Sequence, residues 1–179
     1  LDRLKSGHMD NIRGWLDYTA PRMKRMCHFT ENHDEDRALA VFGGDEARTA
    51  GAAVMALTLP GLRFLFEGQE RGLRNKLDVH LRRARDEPGS ALLEAFHANL
   101  SAVLSTAVLR DGVWQRVALA GADAWKFVAW RYSLAGAPRA ALVVVNYGAE
   151  KAACQAIVPD VAGSATVAIT ELLSQTVYQ

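Results

Sequence analysis

Met26-Cys27-His28-Phe29-Thr30 is a short apolar run that leads straight into a dense polar group, Glu31-Asn32-His33-Asp34-Glu35-Asp36-Arg37. A run of this length reads as a buried strand. Polar groups at the C-terminal end of a buried parallel strand are where α/β folds place their sites. The pattern recurs downstream. Leu62-Arg63-Phe64-Leu65-Phe66 reads as a second buried strand, again followed by polar residues, Glu67-Gly68-Gln69-Glu70-Arg71-Gly72. Between the two, Gly43-Gly44-Asp45 marks a turn and an N-cap, and the Ala-, Met- and Leu-rich stretch 46–59 favours a helix that Pro60-Gly61 breaks. Strand–helix–strand units with apolar strands belong in a parallel sheet covered on both faces. Two such strands cannot make that sheet alone, so this part reads as a slice of a larger α/β body.

Upstream, Met9, Ile12, Trp15 and Leu16 fall on one helical face, and Pro21 stands where that helix ends or bends. Downstream, residues 74–89 are polar and irregular. Ser90 then caps a last helix with the apolar stripe Leu92, Leu93, Phe96, Leu100, Val103 and Leu104. The style changes near residue 107. Five β-type runs follow, at 113–119, 125–134, 140–147, 153–158 and 165–173, separated by Gly121, Gly136-Ala137-Pro138, Gly148, Pro159-Asp160 and Gly163. Spaced strands without helices between them predict a small antiparallel sandwich. The division expected is 1–106, α/β, and 107–179, all-β.

The chain has 179 residues and a net charge of +1, which gives no electrostatic reason to expect nucleic acid or an anionic membrane as partner. No apolar run approaches the roughly 18 residues that span a bilayer. Leu1-Asp2-Arg3-Leu4-Lys5 lacks the apolar core of a signal peptide, and a first residue other than Met suits a truncated or processed product. Cys27 and Cys154 read as two buried free thiols, which suits a cytoplasmic protein. No metal site is expected: CxxC and HExxH are absent and the histidines are scattered.

Phe29-Thr30-Glu31-Asn32-His33-Asp34-Glu35-Asp36-Arg37 resembles the last short motif of glycoside hydrolase family 13, the α-amylase family, which closes the seventh strand of a (β/α)8 barrel. The stretch 59–72 resembles the family's eighth-strand segment, with Glu67 where an aromatic often stands. The all-β tail is similar to the family's C-terminal sandwich, with Leu172-Leu173-Ser174 and Tyr178 like its closing strands. The resemblance implies a partial (β/α)8 barrel, strands seven and eight with their helices, plus an antiparallel β-sandwich. It makes Asp34 the carboxylate that stabilises the transition state, His33 a substrate-binding residue, and Asn32, Glu31 and Arg37 supports of the loop. It implies no organic cofactor. The family often binds calcium, but through ligands mostly upstream, and no calcium loop is visible here.

Breaking an acetal passes through an oxocarbenium-like state, and a retaining enzyme needs a nucleophilic carboxylate and a protonated carboxyl about 5–5.5 Å apart. A third aspartate whose bonds to sugar hydroxyls tighten in the transition state lowers the barrier. In the family the nucleophile Asp and the acid Glu end the fourth and fifth strands, upstream of Leu1. A complete barrel takes about 250 residues. The chain is therefore expected to be a fragment of a retaining glycosidase or transglycosylase acting on α-glucans, inactive by itself. Two other readings stand beside it: a non-catalytic relic that binds carbohydrate or protein, and a subunit that completes a split barrel, since unpaired strand edges invite self-association. The blander readings are a solvated acidic loop at 31–37, a turn at 67–72, a solvated basic run Arg82-Arg83-Ala84-Arg85, packed or surface His8, His28, His80 and His97, and core-filling Trp114, Trp125 and Trp130.

Overall fold

The computed structural model describes residues 2–81, 86–136, 139–158, 168–174 and 176–178. The basic run at 82–85 and the turn residues Ala137, Pro138, Pro159, Asp160 and Gly163 lie outside the described residues. The chain is mixed α/β in its first part and carries antiparallel sheets in its second. It divides into two compact units, Leu1–Ala98 and Asn99–Gln179.

In the first unit, α1 (Asp2–Ser6) and α2 (Met9–Thr19) precede a 3-10 turn, Ala20–Arg25, entered at Pro21. Met9, Ile12 and Leu16 of α2 are buried, at the i, i+3, i+7 spacing that defines one helical face. Strand β1 (Cys27–His28) runs parallel to β2 (Leu62–Arg63), with Cys27 opposite Leu62 and His28 opposite Arg63. Between them lie α3 (Ala38–Val41) and α4 (Glu46–Leu57). The Asp45 side chain accepts from the Arg48 N–H at 2.9 Å and caps α4, satisfying one of the donors a helix start leaves open. At Gly61, with φ of 131°, an added Cβ would sit 2.5 Å from the Met26 carbonyl oxygen and 2.7 Å from that of Met23. Only glycine lets the chain leave α4 this close to the start of β1.

The strands differ from the sequence expectation. They are shorter than 26–30 and 62–66 and only partly buried: His28 and Thr30 are buried, whereas Leu62 is 67% exposed and Leu65 44%. Cys27 is exposed and Cys154 half-buried, both as free thiols, rather than buried. One cause accounts for Cys27 and Leu62. Among the described residues each strand pairs with a single neighbour, so the pleat has little to bury against.

Helix α5 (Ala91–Leu104) buries Leu93, His97 and Leu100. Leu92, expected in the stripe, is 58% exposed. Successive residues diverge by about 100° on a helix, so a narrow stripe through Leu93 leaves Leu92 outside.

In the second unit a short helix, α6 (Ala107–Asp111), stands where β structure was expected to begin. The run at 113–119 splits at buried Val117 into β3 (Val113–Arg116) and β4 (Ala118–Ala120). Then follow β5 (Phe127–Ser133), β6 (Ala140–Asn146), β7 (Gln155–Ile157), β8 (Ile169–Glu171) and β9 (Thr176–Tyr178). They form sheets β3-β5-β6, β4-β7 and β8-β9, all antiparallel. Strand β5 is the core, with Phe127, Val128, Ala129, Trp130 and Tyr132 all buried and Trp130 fully so. Arg131 lies opposite Gln115, and its Nε and Nη2 donate to the Gln115 Oε1 at 3.0 and 2.7 Å. Trp125 departs from the core expectation: it sits in a 3-10 turn before β5 and is 62% exposed. No helix among the described residues is long and apolar enough to cross a membrane.

Candidate functional site

Everything in the loop after β1 is organised from beneath by one buried ion pair. The Glu31 carboxylate accepts from Arg37 Nη1 at 2.7 Å and from the Ala38 N–H at 2.6 Å, and both side chains are essentially inaccessible. Burial pushes the Glu31 carboxyl above its ordinary range; the Ala38 N–H and the Arg37 charge pull it back. Arg37 holds more than its partner. Nη1 also donates to the Glu67 carbonyl at 2.7 Å, Nε donates to the Asn75 carbonyl at 3.2 Å, and the guanidinium lies 4.7 Å from the Phe66 ring centroid. A planar guanidinium with five donors suits this role; an ammonium does not. One side chain thus fastens the loop after β1 to the segment after β2.

Glycine is needed where the two segments meet. Gly68 has φ of 84°, and an added Cβ would stand 2.5 Å from Leu73 Cδ1 and 3.3 Å from Arg37 Nη2. The Asn75 side chain is fixed in turn. The Glu87 carboxylate accepts from the backbone N–H of Arg74 at 2.8 Å and of Asn75 at 3.0 Å, and from Asn75 Nδ2.

Above the ion pair the loop turns outward. Asn32 Oδ1 accepts from the N–H groups of Asp34 at 2.9 Å and Glu35 at 2.8 Å, a local turn that asparagine favours. It presents His33 and Asp34 to solvent, with His33 Nε2 3.3 Å from Asp34 Oδ2 and both side chains more than half exposed. Lys76, from the segment after β2, donates its ammonium to the Asp34 carbonyl oxygen. The arrangement joins an acceptor carboxylate, an imidazole that can donate or accept, and an ammonium, which suits hydroxyl-rich ligands.

All five residues singled out from the sequence lie together. Glu31 and Arg37 are the buried foundation, Asn32 shapes the turn, and His33 and Asp34 form the exposed edge. Sequence reading missed Lys76, Asn75 and Glu87. They lie in a stretch without periodicity, and their contacts span 12 to 42 positions, so no local signal marks them. His28 lies behind the loop, buried, with Nε2 3.0 Å from the Pro60 carbonyl and its ring edge-on to Trp15. Burial holds its pKa below the ordinary range. Among the described residues no three His, Cys, Asp or Glu side chains gather as a metal-binding group.

Comparison with known proteins shows a likeness of the chain to α-amylase-type enzymes in sequence and in fold. The chain is 29% identical over 141 residues to the α-amylase MalA of Haloarcula japonica, covering 78% of this chain and 20% of that protein. It thus spans about a fifth of the length of this curated relative. Its fold is like that of the maltogenic α-amylase AmyB from Thermotoga neapolitana, with a TM-score of 0.75 at 18% identity, over 90% of this chain and 38% of that one. A debranching enzyme from Nostoc punctiforme, soaked with acarbose, matches with a TM-score of 0.56 at 21% identity, over 69% of this chain and 25% of that one. No family model matches the chain.

Proposed function

We propose that the chain is part of a retaining glycoside hydrolase or transglycosylase acting on α-glucosidic bonds. In this reading 1–106 supplies the last two βα units of a (β/α)8 barrel and 107–179 an antiparallel sandwich. Asp34 binds sugar hydroxyls and stabilises the oxocarbenium-like transition state, and His33 bonds to the same ring. The observation that carries it is the pairing of exposed His33 and Asp34 on a loop anchored by a fully buried Glu31–Arg37 pair. Breaking a buried pair by losing one partner is strongly destabilising, so the loop holds its shape without ligand, as a binding site requires.

The chain alone does not cleave glycosidic bonds in this reading, because the nucleophile and the acid come from outside it. The test is direct. The isolated chain is expected to release no reducing ends from maltoheptaose, yet to bind maltoheptaose in a calorimetric titration that Asp34→Ala abolishes. Turnover by the chain alone contradicts the fragment reading; absence of any binding contradicts the sugar reading.

A second reading rests on its own observation. Leu62, Phe64 and Leu65 are exposed beside a two-stranded ladder, and Phe29, Phe64 and Phe66 form an aromatic row, with ring centroids 5.9 and 6.3 Å apart. Apolar strand residues beside unpaired backbone are a template for further strands. The chain then acts as a subunit that completes a barrel or pairs with its own copy. Light scattering is expected to show concentration-dependent association that Leu62→Lys with Leu65→Lys reduces. A strict monomer at high concentration contradicts it.

A further inference from the structure

We propose that Lys76 is a further sugar-contacting residue, binding the glycosyl unit that Asp34 engages or the one next to it; this rests on the sugar-site reading above. Three observations carry it. The first is its fixed place. Asn75, its neighbour, is held through its carbonyl by Arg37 Nε and through its amides by the Glu87 carboxylate. The same Arg37 holds Glu31, so the backbones bearing Lys76 and Asp34 are tied to one guanidinium. The second is direct contact: the Lys76 ammonium donates to the Asp34 carbonyl oxygen. The third is chemical complementarity. An ammonium carries three N–H donors, and the bond to Asp34 uses one. An ionised carboxylate only accepts and an ammonium only donates, whereas a sugar hydroxyl does both. A diol offers the complementary groups, one hydroxyl to donate to the Asp34 carboxylate and the other to accept from Lys76. The segment after β2 becomes the second wall of the site.

The test is calorimetric titration of the whole chain with maltoheptaose. Lys76→Met is expected to weaken binding about tenfold, the loss of one charge-assisted hydrogen bond. Lys76→Arg, which keeps the donors, is expected to stay within about twofold of the parent. Lys24→Met, which removes the same charge from the exposed 3-10 turn, is expected to leave binding unchanged. Unchanged affinity in Lys76→Met overturns the assignment. Equal loss in the methionine and arginine variants reduces Lys76 to a tether of the loop and overturns it too, and equal loss in Lys24→Met ascribes the effect to net charge. If the parent chain binds no maltoheptaose, the sugar-site reading falls and the role of Lys76 falls with it. Binding by the parent with no effect at Lys76 removes this inference alone.

Discussion

The run that opens with strand β2 and the run of strand β5 look alike in sequence and meet opposite fates. Leu62-Arg63-Phe64-Leu65-Phe66 and Phe127-Val128-Ala129-Trp130-Arg131-Tyr132 are both apolar runs punctuated by arginine. The first leaves Leu62 67% and Leu65 44% exposed; the second is buried at every position. The difference is partners. β5 lies between β3 and β6 with α6 packed against it, and among the described residues β2 pairs with β1 alone. Periodicity reports what a strand needs to bury, and neighbours decide whether it does so. The second unit answers the demand of its central strand; the first is held together by helices and by a polar clamp.

The largest effects test these two modes of support. Trp130→Ala is expected to cost about 3–5 kcal/mol, as for other buried aromatic truncations. Arg37→Ala is expected to cost about 3–5 kcal/mol, because it leaves the Glu31 charge buried and alone. Urea unfolding measures both. A loss well under 1 kcal/mol at Arg37 would break the claim that an ion pair anchors the first unit.

An intermediate effect separates the units by pH. All five histidines lie in residues 1–98. Burial lowers His28 and His97 below the ordinary value of 6.5 in the folded chain, so as pH falls the unfolded chain takes up protons first. Their stabilisation is present above pH 6.5 and is lost as pH falls through the folded-state values. Glu31 works in the other direction: its contribution is full below its ordinary value of 4.5 and is lost as pH rises through the raised folded value. The histidine contribution is therefore expected to drop from pH 7.5 toward pH 5.5, and His28→Gln with His97→Gln to remove that drop from the stability profile. An unchanged slope in the double variant would assign the drop to other groups.

The smallest effect sharpens the contrast most. Leu62→Ser and Leu65→Ser are expected to change the stability of the isolated chain by no more than about 0.5 kcal/mol, the range of exposed positions. A cost of several kcal/mol in urea unfolding at either position would show that the face of β2 is covered in solution.

Much of this was legible beforehand because it rests on local chemistry. Asp45 and Ser90 act as caps, Pro60-Gly61 ends a helix, and the Asn32 turn follows from the side chain. Position 61 is a glycine because the Met23 and Met26 carbonyls, just ahead of β1, stand within 3 Å of its absent Cβ. What could not be read was tertiary. Exposure of Cys27 and Leu62 depends on which strands pair, a single neighbour each among the described residues, rather than on composition. The split of the first all-β run at Val117 depends on which strands each half meets, β5 for β3 and β7 for β4. Lys76 reaches Asp34 only after Arg37 and Glu87 have folded an aperiodic segment, so nothing near Lys76 in the sequence announces it.

The measurement that tests the central claim most directly is an amide NMR titration of the chain with maltoheptaose, repeated with Asp34→Asn. The account predicts saturable shifts at Asn32, His33, Asp34, Glu35 and Lys76, largely lost in the variant. Shifts confined to other residues, or a variant that binds as the parent does, would contradict it.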